Sequence, residues 1–322
     1  MKKRYNYIIQ GAGASGLWLA YWLHKEGLLD DKTLLIVECD EFKQNDRTWC
    51  FWGDALIQDL GFVDFSWSQV QVFGESQRID PYTYHHCRSE AFYAFVKNAL
   101  ASSGHIDWCF GRVVATRQIG SQVSVDIQID NDAGVENLNV AAEWFFGSGG
   151  ASVKTSEIAL WQSFVGWRVK SKSGETIFDS AACTLMDFRI EQRRKTRFLY
   201  VLPFSGEEAL IEVTQFDKEI LGLEEGQRML QEICEMRGWD VSMTELEQNA
   251  IPMSSIFDCS ERFHAPDTRI VPLGVVAGAL KPTTGYGFLR MMQHGKSIAS
   301  ALKSNELIPK LYRKRRFRFY DD

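Results

Sequence analysis

The chain has 322 residues and a formal net charge of −6, with 45% hydrophobic and 24% charged residues. Its length exceeds a typical domain of about 100–200 residues, which predicts one large domain or two interleaved ones. The acidic balance argues against nucleic acid as the main partner, and the lack of an apolar run of about 18 residues argues against a transmembrane helix. Seven cysteines without a C-x-x-C pair favour reduced thiols in the cytoplasm over disulfides or a zinc site.

The N-terminal segment predicts a β-α-β unit. A strand over residues 5–10 (YNYIIQ) runs into a glycine turn at 11–16 (GAGASG), and a helix over 17–27 leads to a second strand at 33–38 (TLLIVE). This order is typical of a dinucleotide-binding domain.

The glycine turn has the G-x-G-x-x-G spacing of that domain class. Gly11 permits the tight turn, Gly13 beside Ala12 permits close approach of a pyrophosphate, and Gly16 permits helix–strand packing. Glu38 ends the second strand, where a carboxylate can accept the ribose hydroxyls of an adenosine. The motif does not separate FAD from NAD, but its position a few residues from the N-terminus favours FAD.

The remaining elements predict a cofactor domain interrupted by a sheet. A helix is expected over 89–100, strands over 105–130 and 143–150, mostly strands over 161–216, and a strand, glycine loop and helix over 269–302. We therefore expect an α/β fold: a Rossmann-like FAD-binding domain with an inserted, mainly antiparallel β-sheet substrate domain. The expected FAD-binding domain comprises residues 1–75, 100–155 and 265–322, and the substrate domain comprises 76–99 and 156–264.

One predicted strand carries an acid among apolar residues. In LIEVTQF (210–216), alternation places Leu210, Glu212 and Thr214 on one face and Ile211 and Val213 on the other. Either the Glu212 face is wet, or the carboxyl faces an apolar cavity.

The segment KLYRKRRFRFY (310–320) alternates basic and aromatic residues. Such a pattern suits the surface of an anionic membrane, each charge contributing about 1 kcal/mol. A solvated basic tail is the alternative interpretation. The adjacent His85 and His86 point apart in a strand, which argues against a metal site.

Six blocks together resemble the lycopene cyclases, the carotenoid ring-forming flavoproteins, across nearly the whole chain. In chain order these blocks are IIQGAGASGLWLAYWL, DRTWCFW (46–52), WQSFVGWRV (161–169), TLMDFRIEQ (184–192), RFLYVLPFSGEEALIEVTQF (197–216) and GALKPTTGYGF (278–288). The resemblance implies the large FAD-dependent fold and a non-redox isomerisation of lycopene or a related acyclic carotenoid to β-ringed γ- or β-carotene. It further implies that FAD must be reduced, with NAD(P)H as the reductant, and that the protein is cytoplasmic and peripherally bound to the membrane.

The resemblance also implies roles for individual residues. Glu212 falls on the catalytic acidic motif and becomes the expected general acid, because a carboxyl in an apolar setting stays protonated. Many family members have a second acid directly afterwards, where this chain has Val213. Gly278, Gly285 and Tyr286 are expected at the flavin.

Aromatic side chains in the matched blocks are candidates to stabilise cationic carbons, since about 0.5–2 kcal/mol is typical for a desolvated cation–π contact. The substrate candidates are Trp49, Trp52, Trp161, Phe188 and Phe204, with Trp49 and Trp52 foremost. Asp187 and Arg189 are expected to form a structural pair. Two other functions stay open: another FAD enzyme, such as a hydroxylase or isoprenoid reductase, and a non-catalytic carotenoid or flavin binder.

Overall fold

The computed structural model describes residues 2–53, 61–131, 134–147, 158–253, 268–309 and 311. The helices in these ranges are α1 (Ala14–Lys25), α2 (Ser89–Leu100), α3 (Leu223–Arg237) and α4 (Phe288–Lys303), with a 3₁₀ turn at Gly274–Ala277. The strands are β1 (Arg4–Gln10), β2 (Leu34–Glu38), β3 (Thr48–Gly53), β4 (Phe65–Trp67), β5 (Gln69–Val72), β6 (Glu75–Arg78), β7 (Thr83–Arg88), β8 (Ile106–Phe110), β9 (Arg112–Ile119), β10 (Gln122–Asn131), β11 (Gly134–Gly147), β12 (Leu160–Ser171), β13 (Ala182–Asp187), β14 (Thr196–Pro203), β15 (Glu208–Asp217), β16 (Val241–Met253) and β17 (Ile270–Pro272).

The first compact unit comprises Met1–Trp49, Arg88–Lys154 and Ser255–Asp322. Its sheet has the order β8-β2-β1-β11-β10-β9, with β17 also paired to β11. Strands β8, β2, β1, β11 and β17 are parallel, whereas β9 and β10 form an antiparallel extension. Every residue of β2 is buried, as expected for a parallel strand covered on both faces. The predicted β-α-β unit is confirmed.

The second compact unit comprises Cys50–Cys87 and Thr155–Ser254. Its large sheet has the order β16-β12-β15-β14-β13-β5-β6 and is antiparallel apart from the β5–β13 pair. A three-stranded sheet with the order β3-β7-β4 accompanies it.

Helix α3 covers one face of the large sheet. Val165, Leu199, Ile211 and Val213 form a buried cluster with the apolar side of this helix. The approach is close at Gly226, where an added Cβ would lie 2.5 Å from the Val165 side chain. This packing leaves the alternate residues of β12, β14 and β15 on the opposite face.

Among the described residues, the compact units divide the chain differently from the expected domains in two places. Residues 50–75 belong to the second unit, because β5 pairs with β13 and β4 pairs with β7. Residues 88–99 belong to the first unit, where the Trp18 ring of α1 contacts the Phe92 ring of α2 at 4.9 Å. Both segments were assigned from chain order, which does not reveal these long-range contacts.

Candidate functional site

The glycine turn between β1 and α1 has the geometry that its spacing predicts. Gly11 has a positive φ of 93°, and its N–H donates to the Val37 carbonyl at 2.8 Å. A Cβ at Gly16 would lie 2.0 Å from the Gly11 carbonyl oxygen, so only glycine fits there. At Gly13, by contrast, an added Cβ would meet nothing within 4 Å. The turn is thus closely packed at Gly16 and open at Gly13, the glycine expected at the pyrophosphate.

Glu38 is buried at the end of β2 and is tied to this turn. Its Oε2 accepts a hydrogen bond from the Ala12 N–H at 2.6 Å, and its Oε1 accepts one from the Cys39 N–H at 2.9 Å. Burial opposes ionisation of Glu38, but the Ala12 N–H and the Lys43 ammonium outweigh that effect and lower its pKa. Glu38 is therefore an ionised acceptor at the glycine turn; the ribose contact stays a prediction.

The second glycine loop forms a compact turn before α4. The Lys281 N–H donates to the Tyr286 carbonyl at 2.9 Å, and the Gly285 N–H donates to the Lys281 carbonyl at 2.8 Å. Gly278 and Gly285 have positive φ values of 76° and 73°. Backbone of this shape requires glycine and can approach a flat ligand closely.

Unit 1 contains groups that suit a dinucleotide cofactor. The Oγ of Ser15 and the Oγ1 of Thr284 are buried without a hydrogen-bond partner in the described part of the chain. Ser15 lies in the first turn of α1, and this turn carries no acidic residue. No side-chain carboxylate of that turn therefore neutralises the positive end of the helix dipole, which favours binding of an anion there. These features fit a pyrophosphate at the start of α1.

Glu212 lies on the face of the large sheet away from α3. Its neighbours Ile211 and Val213 are buried beneath α3, so strand alternation places Leu210, Glu212 and Thr214 on the other face. The Val213 side chain therefore points away from the Glu212 side chain. An acid at position 213 would point into the apolar core under α3.

The small sheet packs over the Glu212 face within unit 2. The Trp67 indole N–H of β4 donates to the Pro203 carbonyl of β14 at 3.1 Å. The rings of Phe65 and His86 contact the Phe204 ring at 5.8 and 4.9 Å. Aromatic side chains therefore border this face, and the Glu212 side chain is half-buried there.

The surroundings of Glu212 favour its protonated form. Burial raises its pKa well above the usual value, and the negative charge of Glu247 raises it further. The Thr214 hydroxyl opposes these effects by donating to Glu212 Oε1 at 2.7 Å. The net result is a carboxyl group whose protonated form is favoured.

Aromatic rings lie in the same part of unit 2. Tyr200 of β14 is directly opposite Glu212, and its ring contacts the Phe198 ring at 5.2 Å. The Phe198 ring in turn contacts those of Phe188 and Phe216 at 5.4 and 5.9 Å. Such rings present negative π faces that attract a cation.

Of the five predicted substrate aromatics, three lie around the Glu212 face. Phe188 and Phe204 have the contacts just described, and the Trp52 ring contacts the Tyr84 ring at 4.9 Å. Trp161 is an even number of residues from Val165 along β12, so its side chain points to the same face as Val165 and away from the face of Gly166 and Glu212. This placement separates Trp161 from Glu212, contrary to expectation.

Trp49 belongs to an aromatic cluster of unit 1. Its ring stacks on the Phe288 ring of α4 at 5.0 Å and meets the Phe92 ring of α2 edge-on at 5.5 Å. These contacts give Trp49 a packing role between helices. Its polar neighbours in the sequence did not reveal that role, since the partner rings lie about 40 and 240 residues further along the chain.

Two further residues near Glu212 were missed by the sequence analysis. Glu247 of β16 and Glu212 are both opposite Gly166 in the sheet, and the negative charge of Glu247 acts on the Glu212 carboxyl. The Cys50 thiol of β3 lies within electrostatic range of both carboxyl groups, and burial raises its pKa well above the usual value. Neither residue could be recognised beforehand, because each reaches Glu212 only through tertiary structure.

The predicted pairing of Asp187 with Arg189 is confirmed. The Arg189 Nε donates to Asp187 Oδ1 at 2.8 Å, and the Arg237 guanidinium donates to Asp187 Oδ2 at 3.0 Å. The hydrogen bonds from Arg189, together with those from Arg237, lower the pKa of Asp187 to about 2 against the effect of its burial. This ionised carboxylate is a structural link between β13 and α3.

The two adjacent histidines contact different partners. His85 Nδ1 lies 2.8 Å from the Ser66 hydroxyl, and His86 Nδ1 lies 2.7 Å from Asp64 Oδ1. Within the described ranges, no group of three or more His, Cys, Asp or Glu residues is placed to hold a metal ion. Among the described helices, none has the length and apolar character to cross a membrane. The basic segment 310–320 lies outside the described residues except for Leu311.

A family model described as lycopene cyclase protein matches residues 6–317. The chain belongs to the lycopene cyclase family. Its relatives include the lycopene beta-cyclase of Pantoea ananas, 22% identical over 89% of this chain and 72% of the relative. The lycopene beta-cyclase of Pseudescherichia vulneris is 23% identical over 91% and 73%. The predicted family and an enzyme of this type are thereby confirmed.

Solved structures confirm the predicted flavoprotein fold of this lycopene cyclase family member. A geranylgeranyl bacteriochlorophyll reductase-like protein from Thermoplasma acidophilum superposes with a TM-score of 0.70 at 15% identity, covering 96% of this chain and 81% of that one. The p-nitrophenol 4-monooxygenase of Pseudomonas putida has a TM-score of 0.63 at 15% identity, covering 100% and 84%.

Replacement of Glu212 by Gln is expected to change how stability depends on pH. Above about pH 4.5 the unfolded chain ionises Glu212 while the folded protein keeps it protonated. Wild-type stability therefore falls by about 1.4 kcal/mol per pH unit until the folded pKa is reached. Gln does not titrate, so the Tm of Glu212→Gln relative to wild type should rise between pH 4 and pH 8.

Thermal unfolding over this pH range measures the effect. Glu219→Gln is the matched control, because Glu219 is 79% exposed and pairs with Lys195 at the surface. A Tm difference that is independent of pH would show that Glu212 is ionised in the folded protein.

Proposed function

We propose that this enzyme cyclises the acyclic ψ-ends of lycopene, or of a related acyclic carotenoid, to β-rings by acid catalysis. The observation that carries this proposal is the position of the Glu212 carboxyl, directly opposite Tyr200 in the sheet and in surroundings that favour its protonated form. Protonation of an alkene needs a carboxylic acid that still holds its proton at working pH, shielded from water.

The reaction balances without net oxidation. The Glu212 O–H bond breaks as its proton forms a C–H bond at C2, which leaves a cation at C1. The C5=C6 electrons then form the C1–C6 bond and move the cation to C5. Loss of the C6 proton to a carboxylate leaves the C5=C6 double bond of the β-ring.

Protein side chains stabilise the cationic stage of this sequence. The ring of Tyr200, directly opposite Glu212, and the neighbouring Phe198 offer π faces. Each such contact contributes about 0.5–2 kcal/mol when water is excluded. Trp52, Phe188 and Phe204 complete the proposed aromatic surroundings of the carotenoid.

The cofactor proposed for this reaction is FAD, bound by the glycine turns of unit 1. Gly11, Ala12, Gly13 and Gly16 would hold the pyrophosphate, and Glu38 the ribose. Gly278, Gly285 and Tyr286 would contact the flavin. Bound in its reduced form, FAD would supply negative charge to a reaction without net electron transfer, and NAD(P)H would serve only to keep it reduced.

Replacement of Gly13 by Ala tests the cofactor assignment. Gly13 has an extended φ of −83°, and an added Cβ meets no protein atom within 4 Å. The apoprotein should keep its Tm, whereas the Kd for FAD should rise at least about tenfold because the methyl group occupies the pyrophosphate position.

Flavin fluorescence titration measures this Kd. Gly104→Ala is the control in the same unit, since a Cβ there also meets nothing within 4 Å. An unchanged Kd for FAD in Gly13→Ala would show that the pyrophosphate does not bind at this turn.

Replacement of Glu212 by Gln tests the acid. In lycopene-accumulating bacterial cells, wild type should form γ- or β-carotene, and Glu212→Gln should form about 100-fold less, the usual scale for loss of a general acid. Pigment analysis measures both, with Glu219→Gln as the control. Conversion that survives in Glu212→Gln would disprove its role.

Another FAD enzyme is the second candidate, favoured by a fold shared with reductase-like proteins and monooxygenases. The proposed peripheral membrane association rests on the six Lys and Arg residues among the aromatics of segment 310–320.

Both points are measured with the purified protein, reduced FAD and lycopene in anionic vesicles. We expect ring formation with far less than one NADPH consumed per ring, and co-sedimentation that weakens in zwitterionic vesicles. Consumption of one NADPH per product would favour a hydroxylase or reductase, and a lack of any product would favour a binder. Equal sedimentation with anionic and zwitterionic vesicles would disprove an electrostatic contact between the protein and the membrane.

A further inference from the structure

The structure provides a second acid at Glu212 from a distant strand. In the large sheet, Glu247 of β16 is directly opposite Gly166 of β12, and Gly166 is directly opposite Glu212 of β15. Residues opposite each other in antiparallel strands point to the same face, so both carboxyl groups lie on the face bordered by aromatic side chains.

Gly166 allows the two side chains to meet. The backbones of β16 and β15 are two strand spacings apart, roughly 10 Å, and an ordinary side chain on β12 would stand between them. A Cβ at Gly166 would lie 2.9 Å from Glu247 Cγ and 3.0 Å from Glu247 Oε1. The Glu247 side chain therefore lies over the glycine and extends towards Glu212.

The contact between the two carboxyl groups defines their shared protonation. They face each other across Gly166, close enough for the charge of Glu247 to act on Glu212. An ionised carboxylate only accepts hydrogen bonds, so a hydrogen bond between the two would require a proton on one of them. Two carboxyl groups this close do not both ionise readily, and one proton is held by the pair.

We propose that Glu247 is a positioning residue for the acid: its carboxylate shares one proton with Glu212 and keeps that proton on Glu212 for delivery to the alkene. The Thr214 hydroxyl donates to Glu212 Oε1 at 2.7 Å, which leaves Oε2 as the proton carrier. The catalytic consequence rests on the proposed cyclisation, whereas the shared proton does not.

The pair also supplies the base for the second proton transfer. After the Glu212 O–H bond breaks, two adjacent carboxylates are ionised, which makes the pair strongly basic. When the C6–H bond breaks, its proton re-forms the O–H bond and its electrons form C5=C6. The one-proton state is thereby restored, and no oxidant or reductant is consumed.

Within the part of the chain that the structure describes, few other titratable groups face the pair. They are Cys50 of β3, Tyr84 of β7, Cys183 of β13, Tyr200 of β14, Glu245 of β16 and the Arg168–Glu208 ion pair of β12 and β15. Burial keeps the Cys50 and Cys183 thiols neutral by raising their pKa, that of Cys183 to about 12. Arg168 and Glu208 offset each other. Among the described residues, Glu247 is the charged group that raises the pKa of Glu212.

Replacement of Glu247 by Gln tests the proposal in the wild-type fold. Gln removes the negative charge, so Glu212 should lose its proton at lower pH. In the vesicle assay, the alkaline limb of the rate–pH profile should move down by at least about one pH unit, and the rate at pH 8 should fall at least about tenfold. Glu219→Gln, which removes an exposed acid at the surface, should change neither.

Infrared titration of the substrate-free protein separates this proposal from the cyclisation. The C=O band of a protonated carboxyl at neutral pH should disappear in Glu212→Gln and should titrate at lower pH in Glu247→Gln. If these changes occur in a protein that does not convert lycopene, the proton pair stands and the cyclase proposal fails. An unchanged titration in Glu247→Gln overturns the pair, whatever the activity.

Glu247→Asp is the second variant if Glu247→Gln does not fold. Its carboxyl is withdrawn by one methylene but keeps its charge, so the same downward shift should appear with smaller size. A wild-type profile in Glu247→Asp would equally overturn the proposal.

Discussion

The absence of a side chain at Gly166 is the constraint on which the acid site depends. On either side of this residue stand strands that carry a carboxyl, and the glycine leaves the gap in which Glu212 and Glu247 meet. The opposite face of the same strands is apolar and closed by α3. One face therefore stabilises the sheet, and this frees the other face to hold two acids that alone would be costly to bury.

A comparable division of roles exists in unit 1. Gly16 is needed by the fold, because any side chain there would overlap the Gly11 carbonyl, whereas the space at Gly13 serves no protein contact. Glu38 connects β2 to the glycine turn, because its carboxylate accepts a hydrogen bond from the Ala12 N–H. The same few residues thus close the β-α-β unit and leave a polar, helix-directed opening suited to a pyrophosphate.

Short sequence patterns correctly predicted the features that depend only on neighbouring residues. The G-x-G-x-x-G spacing identified the β-α-β unit, and alternation in β15 placed Glu212 away from the apolar core. The other positions depend on how the strands pair in the tertiary structure. Glu247 reaches Glu212 because β12 pairs with β16 on one side and with β15 on the other. Trp161 points away from Glu212 because it lies an odd number of residues from Gly166 along β12. The proposed second acid also depends on tertiary register, because Glu247 comes from another strand rather than from position 213.

A raised pKa has two opposing effects on an acid catalyst. It favours the protonated form of Glu212, yet it makes that proton harder to donate. The cation formed by donation offsets the second effect, since unit charges about 4 Å apart at an effective dielectric constant of 20 attract by roughly 4 kcal/mol. Two ionised carboxylates attract that cation more strongly than one. In the proposed mechanism, the interaction with Glu247 that discourages ionisation before the reaction therefore becomes favourable once the carbocation exists, and this would help a weak acid to protonate an alkene.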